Sequence, residues 1–182
     1  GVEFYKKISN TTVRHNRVED SAMFAEMGGT GQSQTSNYIY RNLSINNGQF
    51  LIFHYGNGKI NPSSFYVDNN TVYNTNFNLP IIYFFTNSVP SNVLILRNNI
   101  LTIHTKISDA NGFTRSNNIY YVKAGTGMGY ALGDGEIVGN PSFTNEAGKN
   151  FHIQDNSIAR NAGVAVNWIT SDFDGNSVSD GM

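Results

Sequence analysis

The sequence has no cysteine, so it can form no disulfide and offers no thiolate, and its redox compartment stays open. It is also short of charge. Only 14% of its residues are Asp, Glu, Lys or Arg, and the formal net charge is -1. A nucleic-acid surface would need clustered Lys and Arg, so that partner class is set aside. No stretch approaches the roughly 20 consecutive apolar residues of a membrane helix, so no membrane span is expected. The longest apolar run, residues 79–85, is interrupted by Pro80. No leader-like segment opens the chain.

What is present points to β-structure with frequent turns. The 182 residues suffice for one domain with a substantial core, and 12 Phe and 10 Tyr can fill it. The 18 Gly and the many Asn mark turns. Five short segments share one pattern, in which a β-branched or aromatic stretch is followed by an Asn pair or its remnant and then by another apolar stretch. They are residues 12–18, 38–45, 65–72, 94–101 and 114–120. Aligned on the turns, His15, Asn42, Asn69, Asn98 and Asn117 fall in register, at steps of 27, 27, 29 and 19 residues.

Steps of this size fit one turn of a solenoid. The segments are too short and too rich in turn residues for helical repeats, and the Leu-x-x-Leu-x-Leu frame of leucine-rich repeats is missing. The fold expected is therefore all-β, a right-handed parallel β-helix with an irregular C-terminal cap. Asn suits the turns because it tolerates the left-handed conformation and its amide can bond to the amides above and below. Residues 1–124 are read as rungs and 125–182 as the last rung and the cap. Gly1 stands inside a strand-like run and Met182 follows a turn-like segment, so further rungs and a targeting segment are expected ahead of Gly1.

A second strand recurs between the Asn turns, at residues 2–5, 23–27, 51–55 and 81–85. Alternate side chains on a strand face opposite ways. Val2 and Phe4 then point inward and Glu3 outward; Glu26, His54 and Tyr83 follow the same logic. The expectation is an outward column of Glu3, Glu26, His54 and Tyr83, with neighbours about 5 Å apart. Glu3, Glu26 and His54 are the candidate catalytic residues, and Tyr83, Tyr5 and Arg41 the candidate substrate-binding ones. Two carboxylates about 5 Å apart match the pair of a retaining glycosidase. His54 can serve as acid or base, and Tyr83 can stack on a sugar. The same cluster is compatible with a Ca²⁺ or other metal site built on Glu3, Glu26 and His54, and equally with an ordinary solvated polar column. Arg14, Arg17, Arg41 and Arg97 flank the Asn turns and read as solvated rung edges. Trp168 reads as packing the cap, and residues 172–176 as an Asx turn.

The end of the chain resembles that of secreted bacterial right-handed β-helix proteins of the pectate-lyase-like superfamily. Their "D-P-x-F" step, "F-x-L-x-x-x-S-P-A-I-D-A-G" segment and "D-x-D-G" turn are matched in order by Asn140-Pro141-Ser142-Phe143, by residues 151–163 and by Asp172-Phe173-Asp174-Gly175. The match departs at Ile158, Arg160 and Asn161. The resemblance implies a secreted or cell-surface protein acting on a polysaccharide or oligosaccharide, as a glycoside hydrolase or a polysaccharide lyase. In such a lyase, Arg or Lys neutralises a uronate and abstracts its α-proton, and Lys6 and Lys7 are the lysines nearest the column. A monomer without a cofactor is expected. The alternative is a non-catalytic surface or adhesin-type module that binds glycan.

Overall fold

The computed structural model describes residues 1–29, 31–75, 78–124 and 127–178. Thr30, Gly125 and Thr126, each next to one or more glycines, lie outside the described residues. Among the described residues there is no helix, and parallel strands stack into a β-solenoid of about four turns.

Three sheets run along the solenoid. The first holds Val2–Tyr5, Met23–Gly28, Gln49–Phe53 and Ile82–Phe84. The second holds Ile8–Ser9 and Thr12–Arg14, then Gln32–Tyr40, Ile60–Asp68, Leu94–Arg97 and Thr114–Ser116. The third holds Arg17–Glu19, Leu43–Ile45, Thr71–Tyr73, Ile100–Ile103, Ile119–Val122 and Ile137–Val138. An antiparallel pair, Phe143–Asn145 with Asn150–Ile153, follows. In-register stacking puts like residues above like inside the solenoid. Phe4, Met27, Phe53 and Phe84 form one buried column, in which the Phe53 and Phe84 rings stack 4.7 Å apart. Burying each such side chain stabilises the fold by about 1.5–3 kcal/mol.

The tight corner between the second and third sheets corrects the expected register. Its outer residue has positive φ, and these residues are His15, Arg41, Asn69, Asn98 and Asn117, all between 52° and 56°. Arg41, not Asn42, is the member from the second rung. The steps are 26, 28, 29 and 19 residues. Aligning on amide identity misplaced one rung, because an arginine occupies a left-handed position that Asn fills elsewhere.

The residue after each outer position builds the ladder. The backbone N–H and side-chain Nδ2 of Asn16 donate to Oδ1 of Asn42, and the same pair of bonds links Asn42 to Asn70, Asn70 to Asn99 and Asn99 to Asn118. All eight bonds are 2.9 to 3.0 Å long. The amide-to-amide bonds therefore all run in one direction along the solenoid, while each Nδ2 from Asn42 onward also donates back to a main-chain carbonyl of the rung before. The ladder ends on a carboxylate, a pure acceptor. Glu136 Oε1 takes Asn118 Nδ2 at 2.9 Å and the Tyr120 hydroxyl, while its Oε2 takes Arg115 Nε at 3.1 Å and the Gly133 N–H at 2.7 Å.

The tail does not simply close over the last rung. Its hairpin lies on the outer face of the third sheet, where Phe143 and Phe151 meet Leu43, Ile45 and Tyr73. The chain then runs back along the outer corner column. Asn117 Nδ2 donates to Ala162 O (3.1 Å), Asn98 exchanges bonds with Val164 (2.7 and 3.0 Å), Arg41 donates to Ser171, and the His15 ring faces Phe173. Trp168 stands edge-on to Tyr38 and Tyr66, covering the outer face of the second sheet. That confirms its packing role. Ser157 Oγ donates to Pro141 O, tying the "S-P-A"-like segment to the "D-P-x-F"-like step.

Two predictions follow from these contacts. Asn70→Ala takes the acceptor from the buried Asn42 N–H and the Asn70 Nδ2 donor from Ile39 O, which costs about 1–3 kcal/mol; urea unfolding should show a lower midpoint at unchanged slope. The hairpin is clamped by Glu146, whose carboxylate accepts Tyr73 OH at 2.8 Å and pairs with Lys123 at 2.5 Å. Burial alone would raise the Glu146 pKa, but the hydrogen bonds from Lys123, Tyr73 and Tyr121 outweigh it and hold the group below the usual glutamate value. A carboxyl depressed by folding contributes stability above its unfolded pKa and loses it as pH falls through the folded one. Hydrogen exchange in residues 143–153 should thus stay slow from neutral pH down to the ordinary glutamate range and rise only below it. Glu146→Gln should remove that acid-dependent step.

Candidate functional site

Among the described residues, the tail covers the outer faces of the second and third sheets and leaves that of the first sheet bare. Tyr5 and Phe85 on this face are 52% and 41% exposed. Four rungs present two outward columns here. Glu3 pairs with Glu26, Glu26 with Ile52 and Ile52 with Tyr83, so the first column reads Glu3, Glu26, Ile52, Tyr83. Phe53 pairs with Met27 and Phe84, so the residues one step further on, Tyr5, Gly28, His54 and Phe85, make the second column.

His54 is therefore not in the expected column but in its neighbour, with Ile52 in the place it was given. The cause is an uneven step between the second and third rungs. In the first sheet Ala25 pairs with Leu51, 26 residues on, whereas in the second sheet Tyr38 pairs with Tyr66, 28 residues on. The loop at residues 54–59 inserts the extra length between the two sheets.

The shift nonetheless brings Glu26 and His54 together. His54 Nε2 is hydrogen-bonded to Glu26 Oε1 across the diagonal of the two columns. An ionised carboxylate only accepts, so Nε2 is the donor in this contact. The His54 ring is also stacked on Phe85, with centroids 4.9 Å apart, and Tyr83 stands edge-on to Phe85 at 5.0 Å. Both contacts limit ring rotation.

Gly28 opens the site. A Cβ built on it would lie 3.4 Å from Glu3 Oε1, 3.8 Å from Tyr5 Cδ2 and 3.9 Å from His54 Cδ2, so three candidate residues surround the space a side chain would fill. The result is an open cleft of about 230 Å³, lined by Glu3, Tyr5, Glu26, His54 and Lys59 beside Gly28 and Gly29. The buried Gln34 amide pins its floor, with Nε2 2.9 Å from the carbonyl oxygens of Phe4, Lys6 and Gly28. Sequence reasoning missed Gly28, Phe85 and Lys59. The glycine was legible in principle, since a glycine inside a strand often marks a close approach.

Arg41 does not belong to this cleft. It is 4% exposed and lies at the opposite corner, with Nη1 bonded to Ser171 and 3.3 Å from Asp172 O. Burial lowers its pKa, with Tyr40 and Asp172 opposing the shift. Nor is Arg97 a solvated edge: it pairs with the buried Asp68 at 2.8 and 3.1 Å. Burial raises the Asp68 pKa, and Arg97 counteracts it. Residues 172–176 form the expected Asx turn, in which Asp172 accepts from the N–H and side chain of Asn176 at 2.8 and 2.9 Å. Among the described residues no group of three or more His, Asp or Glu side chains is arranged to hold a metal ion. Among the same residues no helix is long and apolar enough to cross a membrane.

Filling the cleft should leave the fold intact. Gly28→Val places a β-branched side chain outward on a strand, at ordinary contact distance from its neighbours, and should change stability by no more than about 1 kcal/mol. The His54 ring should then react more slowly with diethyl pyrocarbonate than in the unsubstituted chain, at an unchanged melting temperature.

No protein-family model matches the chain, and no curated protein or solved structure is significantly similar to it. The functional reading therefore rests on the chemistry of the first sheet.

Proposed function

We propose that this chain is a carbohydrate-active β-helix protein that binds a polysaccharide on the bare face of the first sheet and cleaves it in the Gly28 cleft. One observation carries the reading: the face that the tail leaves uncovered bears an oriented Glu26–His54 pair, with a second carboxylate, Glu3, across a gap kept open by glycine. On this reading Glu26 orients His54, and His54 and Glu3 supply the proton acceptor and donor at a glycosidic bond. Tyr5, Tyr83 and Phe85 offer aromatic faces to sugar rings. Arg41 has no part in substrate binding.

The tail motifs support a place in the pectate-lyase-like superfamily and, with it, secretion or display on a bacterial surface. The chain would act as a monomer without a cofactor. The exposed aromatic residues also favour a second reading, a module that binds glycan without cutting it.

A polysaccharide panel separates the two, with reducing ends and unsaturated-uronate absorbance as readouts. Cleavage should appear on at least one polymer and persist in chelator. Glu26→Gln and His54→Ala should each lower it about 10²-fold or more, with binding retained. Full activity in either variant rules out this site. Binding without any product establishes the module instead.

A further inference from the structure

The distribution of cations narrows the substrate class. A polyuronate needs a positive group at each occupied subsite, and Arg is the side chain that matches a carboxylate bidentately. Here five of the six arginines are committed elsewhere, and the sixth, Arg14, stands exposed on the second sheet, outside the cleft. Arg17 pairs with Glu19, Arg97 with Asp68, Arg115 with Glu136 and Arg160 with Asp155, and Arg41 is held by Ser171. Lys123 and Lys149 are bound to Glu146 and Glu19 on the side of the tail. No arginine lines the cleft, where the carboxylates of Glu3 and Glu26 face one lysine, Lys59. Lys6 lies beside the rim with its Nζ over the Tyr5 ring, 5.5 Å from the centroid.

Resting on the glycan reading above, we infer that the cleft takes an uncharged polysaccharide and discriminates against polyuronates. Two carboxylates in a partly enclosed cleft repel a polyanion, and the exposed apolar faces of Tyr5 and Phe85 suit the C–H faces of neutral sugars. The reaction class follows. An uncharged sugar has no carboxyl to acidify a neighbouring C–H, so β-elimination is closed and hydrolysis remains. Water's oxygen bonds to the anomeric carbon and the C–O bond to the leaving sugar breaks. The leaving oxygen takes a proton from the acid, while the base takes one from the water. No co-reactant other than water is consumed.

The test is affinity electrophoresis of the full chain at low ionic strength in neutral polymers (xylan, β-glucan, mannan, galactan) and in polyuronates (polygalacturonate, alginate). At least one neutral polymer should bind tenfold or more tightly than either polyuronate. Added salt should leave neutral binding unchanged and narrow the gap. Glu3→Gln with Glu26→Gln should raise polyuronate affinity severalfold. Polyuronate binding equal to or tighter than neutral binding and weakened by salt overturns this inference while leaving the glycan reading standing. Retention by neither class overturns both.

Discussion

Each rung of this chain must turn a tight corner between its second and third strands, and the whole solenoid depends on how that corner is satisfied. The corner needs one residue in the left-handed region, followed by one whose polar groups are buried. A buried amide without partners would be costly. Stacked asparagines solve the problem collectively, because each Oδ1 accepts two N–H groups from the rung before it. The arrangement propagates in one direction, so it needs a terminator that accepts and does not donate. Glu136 is that terminator, and Arg115 balances its charge.

The outer corner residues serve a different purpose. Asn tolerates positive φ, whereas His15 and Arg41 are poorer choices there. Both meet the returning tail, His15 at Phe173 and Arg41 at Ser171. The tail thus fastens the column from rung to rung and buries the aromatic outer faces of two sheets. What remains is the first sheet, where polar and aromatic side chains face solvent with none of the described tail over them. Cleft, cation distribution and exposed rings all follow from this asymmetry.

Much of the fold was legible because solenoid stacking is written into the sequence as repetition. The Asn-rich turns, the inward Phe and Val positions and the outward Glu3 and Glu26 are all local signals, and the structure holds them as read. Loop length was the weak point. The rung step differs between sheets, so Asn42 was aligned with the outer column and His54 was put in a column that Ile52 occupies. Arg41 shows a second limit: its exposure depends on a tail about 130 residues away in sequence, which no local pattern reveals. Gly28 shows a third, since the value of an absent side chain appears only once its neighbours are placed.

The most direct test of the account is where a bound glycan touches. Two-dimensional NMR of the labelled chain, titrated with soluble oligosaccharides from whichever polymer binds, would map the contact. Shifts concentrated in residues 3–5, 26–29, 52–54 and 83–85, with the His54 ring among the largest, are the predicted result. Shifts confined to the tail and the corner it covers, residues 143–173, would contradict it.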